Sequence, residues 1–529
     1  MYWYINLLYI FVAILKSKIM LVKTFGCAII GINATLVTIE VNSDKGIQFF
    51  LVGLPDNAVK ESQQRIIASF ANLGYKFPKK RITINMAPAD IRKEGAAYDL
   101  PLAVGIMAVS DQVKPDLLGQ YAMMGELSLD GTVKPIRGAL PMAIRVRELG
   151  FKGLIIPKEN AKEAGIVEGI EVIGVEDLSQ VVNFLNGTFP IAPEKVDMRS
   201  LSQEETYQFD FQDVKGQENI KRALEIAAAG SHNVLLIGSP GSGKTMLAKR
   251  LPSILPPMTL AEALETTKIH SVAGLMGQNK TLMVTRPFRS PHHSISDAGL
   301  CGGGSFPQPG EISLAHNGVL FLDEVPEIQR HTLEILRQPM EDREITISRA
   351  KMSVRFPANF MLVAAMNPCP CGYYNHPDRE CVCKPNDVQR YLNKISGPLM
   401  DRIDLHVEVL PVPYNELSDS RRGEPSAEVR KRVVAARKIQ EERYRDYPDI
   451  HSNAQMPPKL LQQYCQLDAR SQETLRNAMH RLGLSARAYD RILKVARTIA
   501  DLEGSDRIQS EHLAEAINYR SLDRDNWGS

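Results

Sequence analysis

Eight consecutive residues carry the most legible chemistry in the chain: Gly238, Ser239, Pro240, Gly241, Ser242, Gly243, Lys244 and Thr245. Glycines here let backbone N–H groups turn inward around phosphate oxygens, and the helix that follows contributes the positive end of its dipole. Lys244 brings a cation to the β- and γ-phosphates, and the Thr245 hydroxyl suits Mg2+. The expected ligand is a nucleoside triphosphate, ATP or GTP, with its magnesium ion.

Such a site also needs carboxylates. Gly318-Val-Leu-Phe-Leu-Asp323-Glu324 offers two at the exit of an apolar strand. Asp323 is expected to hold Mg2+ through water, and Glu324 to polarise the attacking water as general base. A second apolar run, Phe360–Met366, ends in Asn367, whose amide can orient that water against the γ-phosphate. Taken singly, a strand ending in Asp-Glu is common, and a strand-ending Asn often belongs to a turn. Their order and spacing behind the glycine-rich loop join them to it.

Two other groups invite a chemical reading. Cys369, Cys371, Cys381 and Cys383 could hold Zn2+ as four thiolates, although paired C-x-C spacing is tighter than the usual C-x2–4-C. Reduced, unligated cysteines are the alternative. His292 and His293 lie in a proline-flanked segment and lack a metal-site spacing of their own. A contact to phosphate or to another subunit and a plain loop role both stay open for them.

The elements that must position these groups follow from pattern and punctuation. Gln48–Val52 and Arg81–Met86 read as strands, with Val59, Ile66, Ile67 and Phe70 as a helical stripe between them. Asn233–Ile237 is a short apolar strand ahead of the glycine-rich loop, and strands recur at Val319–Leu322 and Phe360–Met366. This alternation predicts an α/β sheet domain over 213–410. Pro190, Pro193 and a polar, acidic run mark 191–212 as a linker, and 411–425 reads as a second one. Residues 426–522 are Ala-, Arg- and Leu-rich without a strand-like run, so a helical domain is expected there. Residues 20–190 form the remaining, mixed domain.

Composition bounds the alternatives. The 529 residues are 44% apolar and 23% charged, which excludes wholesale disorder or a fibrous rod. Lys plus Arg 63 against Asp plus Glu 61 gives a net +2, so any polyanion must be met by a local basic surface. Seven cysteines, four of them crowded together, fit a reducing compartment, and a cytoplasmic location is expected. Tyr2 to Leu15 is an uncharged apolar run of 14 residues, short of the roughly 20 that span a bilayer. Lys16 and Lys18 follow that run where a secretory signal would place basic residues before it. Met20 is taken as the working start and 1–19 as an extension, with a marginal membrane anchor as the alternative.

Longer motifs narrow the class further. Arg286-Pro-Phe-Arg289-Ser-Pro-His292-His293, Gly302-Gly-Gly304, Pro309-Gly310-Glu311, Leu314-Ala-His316-Asn317-Gly318, Leu336-Arg337-Gln-Pro-Met-Glu341 and Met366-Asn367-Pro-Cys-Pro-Cys371-Gly372 resemble the AAA+ ATPases. More narrowly, they resemble the magnesium-chelatase-like group that contains the ComM and YifB proteins. The resemblance covers 20 to about 520. It implies an AAA+ P-loop core with an α-helical lid, preceded by an α+β domain similar to the protease domain of Lon.

The resemblance also implies roles. Met400-Asp-Arg402-Ile-Asp404 sits where this group and the minichromosome maintenance helicases carry an arginine finger, which acts on a neighbour's phosphates and therefore implies a homo-hexamer. Leu484-Ser-Ala-Arg487-Ala-Tyr-Asp-Arg491 resembles the second sensor motif, implying that Arg487 touches bound nucleotide. A surface or ion-paired role is the alternative for each arginine. Gly125–Gly131 and Gly153–Asn160 match the Lon-like domain, but Ala97 stands where Lon has its serine and Leu140 where it has its lysine. Without hydroxyl or amine there, no peptidase activity is expected. An assembly or DNA-docking role, as in the similar branch-migration protein RadA, is the expectation instead.

Glu344 to Arg355 alternates apolar and polar residues around a turn, the pattern of a hairpin. In related helicases the hairpin before the first sensor points into a central pore, which makes Arg349 and Lys351 candidate phosphate grips on DNA. A solvated hairpin face is the alternative. The leading expectation is a hexameric ATP-driven DNA helicase or branch-migration motor serving recombination or natural transformation, with recombination proteins as possible partners and no membrane. The second is a protein-remodelling ATPase like the magnesium-chelatase motor. No D-x-S-x-S metal motif, the mark of that machine's partner domain, occurs in the chain.

Overall fold

The computed structural model describes residues 21–196, 207–277, 280–304, 307–349, 352–413, 423–447 and 449–520. The apolar extension 1–19 and Lys351 therefore lie outside the described residues. Two compact units emerge, one formed by the chain up to Gln203 together with Thr267–Met283, the other by Glu204–Thr266 and Val284 onward.

In the first unit, β1 (Leu21–Ile30) and β2 (Asn33–Asp44) make an antiparallel hairpin closed at Gly31, whose φ of 63° a side chain would strain. β2 pairs with β4 (Arg81–Ala87), and the edge strand β3 (Phe49–Val52) lies parallel to β4, giving the order β1-β2-β4-β3. Helix α1 (Ser62–Asn72) turns Ile66 and Phe70 inward, as its sequence stripe requires. Helix α2 (Asp99–Val109) is apolar on every side and buried along its whole length. A Cβ on Gly105 would stand 2.7 Å from Val41 Cγ2, so glycine lets α2 settle directly on β2. A parallel sheet of β5 (Tyr121–Met123), β6 (Gly153–Pro157) and β7 (Glu171–Val175) completes this unit. Ala97 sits in the turn leading into α2. Leu140 is buried, its N–H donating to Glu163 Oε1 at 2.9 Å.

The second unit is built on five parallel strands: β8 (Val234–Gly238), β9 (Phe288–Arg289), β10 (Val319–Leu322), β13 (Met361–Met366) and β14 (Leu405–Val409), in the order β9-β10-β13-β8-β14. The antiparallel hairpin β11 (Glu344–Arg349) and β12 (Met352–Pro357) precedes β13. Every residue of β8, β10 and β13 is buried, the mark of parallel strands covered on both faces. Each such Val, Leu or Ile contributes about 1.5–3 kcal/mol. Helix α3 (Glu218–Gly230) packs against β14, and α4 (Lys244–Arg250) leaves the glycine-rich loop.

Helices α5 (Ser426–Arg443), α6 (Ala469–Leu482), α7 (Ala486–Leu502) and α8 (Ser510–Asn518) follow. Ile492, Val495, Ala496 and Ile499 of α7 share one apolar core with Val234 and Leu236 of the sheet. The helical segment is thus integral to this unit. Part of the proline-marked stretch before it is also ordered into the packing: Phe211 is buried, and Asp210 Oδ1 accepts the Ser426 N–H at 3.0 Å.

Candidate functional site

Strand β8 ends where the glycine-rich loop begins, and the loop's form follows from its glycines. Gly241 and Gly243 take φ of 79° and 92°, left-handed values that admit side chains only with strain. A Cβ on Gly238 would lie 2.3 Å from Val409 O, so the loop can leave the sheet this closely only as glycine. The turn delivers Lys244 into a buried position where Nζ donates to Gly238 O (2.7 Å), Ser239 O (2.9 Å) and Asn367 Oδ1 (3.3 Å). Burial pulls the Lys244 ammonium below its ordinary pKa, and Asp323 and Glu324 oppose that shift. Lysine, strand-ending asparagine and both acids therefore converge on one spot.

The neighbouring strands complete it. β13 lies between β8 and β10, so the ends of β10 and β13 flank the loop. Thr245 Oγ1 donates to Asp323 Oδ2 at 2.6 Å. Glu324 sits at φ 49°, a conformation a non-glycine residue adopts at a cost, with its side chain half exposed. His293 Nδ1 stands 3.1 Å from Glu324 Oε2, and the His292 and His293 rings lie 4.0 Å apart. Sequence alone leaves His293 between a phosphate, subunit or loop role; the structure brings it to the carboxylate. Gln217 is a residue that sequence reasoning misses altogether. Its Nε2 donates to Ser242 O (2.9 Å) and Leu410 O (3.3 Å), bracing the loop from behind. Its φ of 58° just before α3 is a tertiary feature with no periodic signal.

The donor set fits a magnesium triphosphate: a glycine cradle, a buried ammonium, and a hydroxyl and carboxylate already within hydrogen-bond distance of each other. Thr245 and Asp323 would hold Mg2+, which supplies neutralising charge to the β- and γ-phosphates.

The two candidate arginines lie elsewhere. Arg402 precedes β14, whose Leu405 pairs with Val234 at the start of β8 while Val409 pairs with Gly238 at the loop. Arg402 therefore stands at the far end of the sheet from its own loop, roughly 13 Å along the strand. It is only 4% exposed, bound to Glu341 Oε1 at 2.6 Å and to Pro398 O at 2.6 Å, with Nε buried and unpartnered. Arg487 is exposed in the first turn of α7 and has no hydrogen bond or ion pair among the described residues. Its helical neighbour Arg491 binds Asp404 Oδ1 at 2.9 Å, again at the far end of the sheet. Burial opposes ionisation of Asp404, yet Arg491, His232 and the Asn233 N–H hold its carboxyl well below the usual range. Arg487 is not brought to the loop of its own chain.

Other signature residues prove to be structural ties. Arg286 is held by Glu262 and by the carbonyls of Pro256 and Asn317, and Arg289 forms a bidentate pair with Glu311 at 2.6 and 2.7 Å. Arg349 ends β11, exposed, reaching Gly304 O at a long 3.4 Å. The sulfurs of Cys369, Cys371, Cys381 and Cys383 gather within 4.8 Å of one another. Among the described residues no helix is long and apolar enough to cross a membrane.

A parallel sheet in this order, with this loop at the end of the interior strand β8 and acids on the next strand but one, defines an AAA+ P-loop ATPase. Family models agree: "Subunit ChlI of Mg-chelatase" matches residues 39–160, "Magnesium chelatase, subunit ChlI" 210–417, and its C-terminal region 423–520. The competence protein ComM of Haemophilus influenzae is 47% identical over 94% of this chain and 97% of its own. The YifB protein of Salmonella typhimurium is 46% identical over 94% and 96%. The magnesium-chelatase 38 kDa subunit of Cereibacter sphaeroides is 27% identical over 30% and 53%. The chain belongs to the ComM/YifB family of magnesium-chelatase-like AAA+ proteins. The family carries ATPase activity with Mg2+.

Proposed function

We propose that the chain is one protomer of a homo-hexameric, ATP-hydrolysing motor that moves along or remodels DNA in the cytoplasm during recombination or uptake of foreign DNA. In this reading Lys244 and the loop bind the triphosphate, and Thr245 and Asp323 hold Mg2+. Glu324 polarises water that Asn367 orients. Arg402 and Arg487 belong to the site of an adjoining protomer.

The position of Arg402 carries the reading. A guanidinium at the opposite end of β8 from its own loop cannot stabilise charge there, but it can serve a second copy's nucleotide. DNA is favoured over protein as the load by the exposed hairpin cation Arg349 and by the relative whose name marks it as a competence protein. The Cys quartet is a site for structural Zn2+, and the Lon-like unit serves assembly or docking rather than peptide cleavage. The partial likeness to a magnesium-chelatase subunit favours the second reading, a protein-remodelling ATPase.

The test is the ATPase rate and particle mass with and without single-stranded and branched DNA. Stimulation together with ATP-dependent resolution of three- or four-stranded junctions is expected. If DNA changes neither rate nor assembly, the remodelling reading replaces this one.

A further inference from the structure

The four clustered cysteines lie directly behind the nucleotide loop. Cys369 follows Asn367 by two residues, and Asn367 Oδ1 accepts from Lys244 Nζ. Cys369 Sγ stands 3.3 Å from Cys371 Sγ and 3.7 Å from Cys381 Sγ, and Cys371 Sγ is 3.6 Å from Cys381 Sγ. A disulfide requires about 2.05 Å. Four sulfurs around one zinc at about 2.3 Å form a tetrahedron with edges near 3.8 Å. The three separations among Cys369, Cys371 and Cys381 lie near that edge and far from a disulfide, and the Cys383 sulfur lies within 4.8 Å of the other three.

Gly372 makes the tight turn, its φ at 84° and its N–H donating to Cys369 O at 3.0 Å. It also touches the loop: a Cβ at Gly372 would lie 2.5 Å from Pro240 Cδ and 2.8 Å from Pro240 Cγ.

We propose that Cys369, Cys371, Cys381 and Cys383 bind one Zn2+ as four thiolates, and that the metal-closed turn props Pro240 and Asn367 so that nucleotide handling depends on metal occupancy. Each thiol releases its proton to solvent as its sulfur joins the metal, with no change of oxidation state. Without the ion, nothing covalent closes the nine residues between Cys371 and Cys381. The turn then loses its fixed contact with Pro240. The coupling half of this inference rests on the ATP reading; the metal half does not.

The full chain, purified without added metal, is expected to contain about one zinc per polypeptide by elemental analysis. Exchange with Co2+ should give the intense visible absorption of a tetrahedral thiolate site. Cys381→Ser/Cys383→Ser should lose the metal. Stripping zinc from wild-type protein should slow turnover by on the order of tenfold to a hundredfold, the effect of a displacement of about 1 Å. Gly372→Ala separates metal from contact: it should keep zinc and still weaken nucleotide binding and turnover. Absence of zinc and of a Co2+ spectrum in the folded wild type overturns the site. Unchanged turnover in both the stripped protein and Gly372→Ala overturns the coupling. A wild type that holds zinc but binds no nucleotide overturns the ATP reading and the coupling with it, and supports the metal site.

Discussion

His293 Nδ1 lies 3.1 Å from Glu324 Oε2, so the acid proposed to polarise water is met by a side chain arriving from beyond a different strand, β9. Glu324 itself occupies a left-handed turn, where it needs support from its surroundings to keep one orientation. A pair this exposed contributes roughly 0.2–1 kcal/mol, which is at most about fivefold in rate if it is made in the reacting geometry. His293→Ala is therefore expected to lower kcat by that factor while ATP-analogue binding persists, because the glycine-rich loop is untouched. Glu324→Gln should bind and stall more completely. Steady-state turnover beside equilibrium binding separates the two effects, and wild-type kcat in His293→Ala would remove the histidine from the mechanism.

Arg402 is tethered before any neighbour arrives. Its 2.6 Å pair with Glu341 and its 2.6 Å bond to Pro398 O describe a guanidinium held in place. Arg402→Ala should leave nucleotide affinity intact and cut turnover about 10³-fold or more, as loss of an arginine finger does. Glu341→Ala should cut it less, since the guanidinium remains but loses its positioning carboxylate. Mixing Arg402→Ala with Lys244→Ala subunits should recover activity wherever an intact loop faces an intact arginine. No recovery at any ratio would argue that each chain works alone.

Asp404 gives the second unit a defined acid sensitivity. Its folded-state pKa lies below the ordinary aspartate value of about 3.9, so the stabilisation it brings is complete above that pH and is lost as pH falls through the folded value. Asp404→Asn leaves Arg491 without its carboxylate and should cost roughly 3–5 kcal/mol near neutral pH, as breaking a buried pair does. Denaturant unfolding of both proteins should show the gap narrowing below about pH 4. A gap independent of pH would mean that the ion pair is not its source.

The parts of the site legible in the sequence are local ones. A glycine-rich loop between strand and helix, an apolar run ending in Asp323-Glu324 and a hairpin before β13 are all short-range patterns, and each occupies the element expected of it. Strand ends differ from expectation by one residue: β8 begins at Val234 and runs through Gly238, and β13 begins at Met361. What stays hidden depends on docking. The 3.6-residue period of α7 identifies a helix but not which end of the sheet receives it, so nothing in the periodicity places Arg491 on Asp404 or keeps Arg487 away from its own loop. Gln217, His293, Glu341 and the Gly372–Pro240 contact likewise arise only when distant segments meet.

That distinction bears on the hairpin, where a local pattern is asked to support a claim about a partner. Arg349 ends β11 opposite Met352, exposed, and its bonds to Gly304 O and Ser348 O are both long at 3.4 Å. Arg355 lies nearer the base, opposite Thr346, with Glu344 3.6 Å away to offset its charge. If the hairpin grips phosphates, Arg349→Ala should weaken single-stranded DNA binding irrespective of sequence. It should also flatten the dependence of log affinity on log salt by about one for each phosphate no longer neutralised. Arg355→Ala should do less, because its charge is already countered and sits farther from the tip. Titrations at several salt concentrations measure both slopes. Equal slopes for wild type and Arg349→Ala would take DNA binding away from this hairpin, because a released counterion is the one signature a solvated surface arginine cannot produce.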